Sequence, residues 1–547
     1  MADPAFTRSS AAVPNRWLRR APAVLAIAAA VGLGGPALAQ VQVQPLAAPD
    51  MFSTGGGHSD LPADLWRGSS GDLAKLVIPE LASHPLTPAA AALARHVLEV
   101  GASGPEGAGN DPDLAGARAE ALLQLGDLAT AKTIAEGAPN LSQLTAMSRA
   151  AALADLISGQ DDKACAVGDG LALGREGGFW LRLRAYCQAR ANQAAPAQLT
   201  LELAEQQEHR PEFERLMAAL LSGPAPGTKT QPSLDDALDF AISRKLGLDW
   251  SSAMDGAPAS IAVAVARDAA MPPAARLTAA ARAARLGIAV PEAYAALAPV
   301  PTALPASDAP GPIGEATLVA LVGATNDLTL KESAIIVLLH RAKDGPEFQA
   351  LARLVDPAIG QLMAAKAVLR QPFMFAMAAA AAGDLASAQG ARAEVGQGTS
   401  PTLPADLAVL DALIAAGSDP VDPGAIRALE TAAKDADVAA KARVAGALSL
   451  LGGFAPLGPQ ARFLVADADL GMAKSPPNRQ LALEQAAEQG RIGDAALYVL
   501  GTAVEAGPHG PSAGERALMV RALRQAHLDA DARAMAIEGL VALQVRP

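Results

Sequence analysis

The only two cysteines of the chain, Cys165 and Cys187, bracket the stretch CAVGDGLALGREGGFWLRLRAYC. A thiol pair serves redox exchange, metal ligation or a structural bond. Exchange of the C-x-x-C kind needs two intervening residues, and this spacing is far longer. Thiolate metal sites recruit further Cys or His ligands, and the nearest histidines in sequence are His96 and His209. Two readings stay open, a structural disulfide or two free buried thiols, and the compartment decides between them.

The other candidates fail on spacing. GPAPGTKT, from Gly223, has three residues between its glycines and Thr228 before Lys229. A phosphate loop needs four residues there, with Lys directly after the second glycine on a strand-to-helix turn. GDGLALG (Gly168–Gly174) lacks both the spacing and the preceding strand of a dinucleotide fingerprint. The histidines at 58, 84, 96, 209, 340, 509 and 527 include no i, i+4 pair, so a zincin helix is absent. Asp467/Asp469 and Asp529/Asp531 lack the spacing and turn glycine of a calcium loop and read as solvated helix caps. We expect no catalytic residue, cofactor or metal ion.

The compartment is read from the N-terminus. Arg16, Arg19 and Arg20 precede the apolar run Ala21–Leu33, and Ala37-Leu38-Ala39 presents the small-x-small pattern of a signal-peptidase site. The run is shorter than the roughly 20 residues of a spanning helix. Residues 1–39 therefore read as a signal peptide, cut between Ala39 and Gln40, and the expected destination is the periplasm or the cell exterior. No later segment reads as membrane-spanning; the strongest, Phe373–Ala382, is too short. An oxidising compartment favours the bonded reading of the cysteines.

The elements that position these residues are helices. Hydrophobic residues make up 51% and aromatics only 3%, with alanine, the strongest helix former, supplying much of the apolar count. Strands, which favour aromatic and β-branched residues, are poorly served. The formal charge of −12 offers no footprint for nucleic acid or anionic lipid. LGDLATA (Leu125–Ala131), SGQDDKA (Ser158–Ala164) and ANQAAPA (Ala191–Ala197) align without gaps at a spacing of 33. Gly126, Gly159 and Asn192 share a position suited to a left-handed helix end. Ala131, Ala164 and Ala197 share one suited to close helix packing.

These phrases, over Pro112–Leu220, resemble tetratricopeptide-like or Sel1-like repeats, built from helix-turn-helix units of about 34 residues. The resemblance implies an all-α fold, an α-solenoid of antiparallel helix hairpins joined by Pro/Gly-rich loops, and protein binding as the usual role. AAGDLASAQ from Ala381 and RIGDAALYV from Arg491 are either further copies or convergent Gly-Asp caps.

The expected organisation follows. Residues 40–62 form a flexible leader, 63–222 the repeats and 223–233 a linker. Residues 234–298 are helical, 299–313 a Pro-rich loop, 314–395 helical, 396–405 a loop, and 406–547 C-terminal helical layers. A helix over Asp162–Leu173 and another from Phe179 to Arg190 meet at a turn centred on Glu176, so Cys165 and Cys187, each eleven residues from it, face each other. Phe179, Trp180 and Tyr186 are either a peptide-binding ledge or the hairpin's own core. The expected function is a periplasmic scaffold or adaptor for other envelope proteins. The alternatives are a structural part of a motility, secretion or polar assembly, and a cell-wall glycan-active enzyme whose carboxylates converge only in three dimensions.

Overall fold

Aspartate and proline open most of the helices. Asp111, Asp127, Asp327, Asp384, Asp422 and Asp437 each accept hydrogen bonds from first-turn backbone amides, satisfying donors with no partner inside the helix. Proline at the first helical positions, as at Pro112, Pro211, Pro372 and Pro404, supplies the helical φ and removes a donor that would be orphaned. The loop expected over 396–405 thus ends at a helix start, Pro404.

The computed structural model describes residues 50–55, 60–223, 230–295, 302–304, 311–396 and 403–545. Contacts divide the chain into Met1–Ala48, outside the described residues, and Pro49–Pro547; only the second is discussed. Its described residues are all-α. They form 26 α-helices, many of them packed against a sequential neighbour, and the only β pairing is an isolated bridge between Ser70 and Glu106. Among them no helix is long and apolar enough to cross a membrane.

One turn recurs. Gly126, Gly159 and Asn192 have positive φ (88°, 73° and 60°). Each ends a helix with the paired hydrogen bonds of a Schellman motif, as in Asp127 N–H to Leu122 O and Gly126 N–H to Leu123 O. Five residues on, Ala131, Ala164 and Ala197 are buried against the partner helix. The same unit returns at Gly383 with Ala388, at Gly490 with Ala495, and at His527 with Ala532. Of the two later phrases, AAGDLASAQ contains the turn itself. RIGDAALYV does not, because its turn glycine is the preceding Gly490. Gly493 lies inside the next helix, where a Cβ would sit 2.6 Å from the Trp66 ring.

The hairpins also meet across long sequence distances. The last helix, Asp529–Gln544, packs on Pro88–Leu98, Gly345–Ala364, Pro404–Ala416 and Val438–Leu451 besides its own partner Ala513–Gln525. Helix Ile492–Ala506 packs on Gly71–Leu81 and Pro88–Leu98. A strictly one-dimensional solenoid joins each layer only to its neighbours; here the first helices are also sealed by the last. Carboxylates make the seal. Glu538 accepts from the Ala89 amide (2.8 Å) and pairs with Arg516 (2.5 Å), both side chains buried. Asp494 accepts from the Ser70 amide (2.9 Å).

Two expectations need correction. Part of the 40–62 leader is docked rather than flexible: Phe52 is fully buried, edge-on to Trp66, and Asp50 accepts from the Phe52 and Gly104 amides. Arg118 clamps it by donating to the carbonyls of Phe52, Thr54, Leu98 and Val100. The helix expected to reach Leu173 ends at Gly170, because Leu171 turns extended and buries its side chain. The Ala39/Gln40 cleavage site and His58 lie outside the described residues, as does most of the 299–313 loop.

Candidate functional site

The hairpin of helices Asp161–Gly170 and Gly178–Arg190 brings Cys165 and Cys187 to disulfide distance, with Sγ atoms 1.99 Å and Cα atoms 5.8 Å apart. Gly168 permits the approach: a Cβ there would lie 3.2 Å from Leu183. A cysteine pair so placed fits an oxidising compartment. Phe179, Trp180 and Tyr186 are the hairpin's own core and form no exposed ledge. Trp180 and Tyr186 are buried and Phe179 half-buried, with the Phe179 and Trp180 rings edge-to-face at 5.0 Å. The Tyr186 hydroxyl donates to Asp161 (3.0 Å). Burial, and next the Asp161 charge, push this phenol well above its ordinary range.

Asp161 leads from the hairpin to the surface. It also pairs with Arg244 (2.6 Å) of helix Ala237–Lys245, so the hairpin is tied to a helix that returns across the repeats. A groove of about 830 Å³ runs alongside. The turns at Gly126 and Gly159 edge one side; helices Ala237–Lys245 and Ala259–Arg267 edge the other. Ile157, Phe240, Val263 and Val265 supply its apolar lining. Its rim cations each have a carboxylate: Lys132 with Asp155 (2.8 Å), Arg244 with Asp161, and Arg267 with Glu292 (3.3 Å). An apolar floor with a neutralised polar rim can receive an apolar segment while leaving rim hydrogen bonds for its backbone.

Asp467, Asp469 and Asp529 are surface groups, and Asp469 caps the Gly471 amide. Asp531 is not a solvated cap. It is buried and accepts from His96 Nδ1 (2.9 Å), while His96 Nε2 meets Asp60 (2.6 Å). The hydrogen bond to Asp531, together with its charge and Asp60, outweighs desolvation and raises His96 to about 9. This Asp–His–Asp bridge, the Glu538–Arg516 seal and the Arg118 clamp escaped sequence reading. A partial signal existed: Arg118 and Glu538 each interrupt an otherwise apolar helix stripe, at positions that pattern alone assigns to the core.

Among the described residues, no group of three or more His, Cys, Asp or Glu is placed to hold a metal ion. Comparison with protein-family models, with curated proteins and with solved structures finds no match.

Proposed function

We propose that this chain is an exported helical-repeat scaffold of the tetratricopeptide-like class that binds other proteins of the bacterial envelope through the groove along the Gly126 and Gly159 turns. One observation carries the proposal: hairpins with a common turn line up their ends to edge an apolar groove whose rim charges are already neutralised. Such a surface recognises shape and apolar content, as stacked-helix proteins do. The signal-peptide pattern before Gln40 and the cysteine pair at disulfide distance support a periplasmic site of action.

The test places a photo-crosslinking residue at Ala129 or Ala264, which line the groove, and at Val438, which is 87% exposed elsewhere. Irradiation in the cell followed by mass spectrometry should capture the same envelope protein from both groove positions and not from Val438. Equal capture at all three positions overturns the reading. So does capture at none, combined with turnover of wall fragments by the purified protein.

A further inference from the structure

A second pocket, of about 620 Å³, lies where the loop after Gly71–Leu81, the end of helix Pro112–Gln124, the start of helix Ala259–Arg267 and helix Pro273–Arg285 converge. Its charges differ in kind from those of the groove. Arg95 and Arg282, both half-buried, line it. Each donates to one backbone carbonyl, Arg95 to Leu125 O (2.9 Å) and Arg282 to Ala257 O (3.0 Å). Among the described residues neither has a carboxylate within ion-pair distance. Asp127 and Glu99 act on Arg95, and Asp255 on Arg282, only from farther off. Asp255 is already paired with Arg285 (3.2 Å). Burial holds both guanidiniums below their ordinary range, and like charges, Arg353 near Arg95 and Arg285 near Arg282, add to this.

The two arginines are anchored to touching segments. A Cβ on Gly126, next to Leu125, would lie 3.1 Å from the Ala259 Cβ, two residues beyond Ala257. The same corner holds the N-terminus of helix Ala259–Arg267, whose N-cap is Pro258 and whose first amides receive no side-chain cap. A guanidinium offers five donors in a planar fork, so each arginine retains unused donors in a site partly shielded from water.

The remaining charged residues on the wall are accounted for. Asp236 caps the Leu238 and Asp239 amides (2.9 Å each) and pairs with Arg210 (3.1 Å). His84 faces Glu80 (3.2 Å). Asp235 is exposed to solvent.

We infer that this pocket binds a small organic oxyanion, its carboxylate or phosphate head between Arg95 and Arg282 and its body against Leu81, Leu86 and Leu286. Forked arginine donors match both head groups. A cavity of this size falls in the range of small-molecule sites, larger than a bare ion requires. The inference stands apart from the protein-binding reading, because it uses a different cavity and different residues.

The experiment follows thermal stability and calorimetric heat of the whole mature protein at constant ionic strength. The probes are inorganic phosphate, N-acetyl-leucine, N-acetyl-leucine amide, and chloride as the salt control. Phosphate or N-acetyl-leucine should stabilise saturably; chloride and the amide should not. The better of the two identifies the head group. The double variant Arg95→Gln/Arg282→Gln should weaken that binding at least tenfold, while Arg175→Gln, at an exposed position outside both cavities, leaves it unchanged. Arg282→Lys, which keeps the charge but not the fork, guards against a double variant that fails to fold and should weaken binding severalfold. An identical response to chloride, equal binding of the amide, or undiminished binding in folded variants overturns the proposal.

Discussion

Replacing Glu538 with alanine tests whether the last helices hold the first. Glu538 is 3% exposed, and its two oxygens serve Arg516, 5% exposed, and the Ala89 amide at the start of helix Pro88–Leu98. Those partners lie 22 and 449 residues away in sequence. Truncation leaves a buried guanidinium without its carboxylate and a helix-terminal amide without an acceptor. Breaking one partner out of a buried pair typically destabilises by about 3–5 kcal/mol. Glu538→Gln, which keeps an acceptor for Ala89 but loses the charge, should fall between wild type and alanine. Hydrogen exchange with peptide-level readout suits a protein of many hairpins, because it reports opening segment by segment. Expected is a matched loss of protection in Asp529–Gln544 and in Pro88–Leu98. Loosening confined to Asp529–Gln544, with full protection retained in Pro88–Leu98, would falsify the claim that a carboxylate seal couples the ends.

Other expectations concern single features. Replacing Cys165 and Cys187 together by serine should lower the stability of their hairpin by roughly 3 kcal/mol, the loop-closure value for a cross-link of this length. Protein purified from the exported fraction should yield two alkylated thiols only after reduction, and ready alkylation without reductant rules the bond out. His96, raised to about 9 in the folded chain from an ordinary 6.5, stabilises fully below pH 6.5, and that contribution fades as pH rises through 9. Since Asp60 is largely exposed, we expect the lost part to be about 1–2 kcal/mol. His96→Gln should flatten that limb of the stability–pH curve, and an unchanged slope in the variant would count against the bridge. Gly126→Ala should destabilise by about 2–4 kcal/mol, combining left-handed strain with overpacking. Its Cβ would meet the Ile288 Cδ1 atom at 2.4 Å. A thermal melt of Gly126→Ala indistinguishable from wild type would contradict that crowding.

The repeat turns were legible because a left-handed helix end restricts the residue that occupies it, whatever lies elsewhere in the fold. Gly126, Gly159 and Asn192 declare themselves for this reason, and alanine five residues on declares the close helix pair. His527 does not, because nothing local marks histidine as a left-handed residue; its φ of 60° emerged only from the structure. Gly493 misled for the opposite reason. Its small size serves contact with Trp66, a residue of the first segment, and not a turn.

Local physics also made the facing cysteines readable, since residues equidistant from a short turn meet across a hairpin. The hairpin's aromatic trio left two readings open until burial chose the core. Periodicity, capping and hairpin geometry operate within about forty residues, so helix content, helix starts and the pairing of neighbours were determined by sequence alone. The Glu538, Asp531 and Asp494 contacts span more than 400 residues. The anion pocket gathers segments from Leu81 to Leu286 that no local rule brings together. A carboxylate's role depends on which donor it meets, and a guanidinium's on which carboxylate it lacks. Those encounters were decided by tertiary packing, through the return of the last helices to the first and of Ala259–Arg267 to the Gly126 turn.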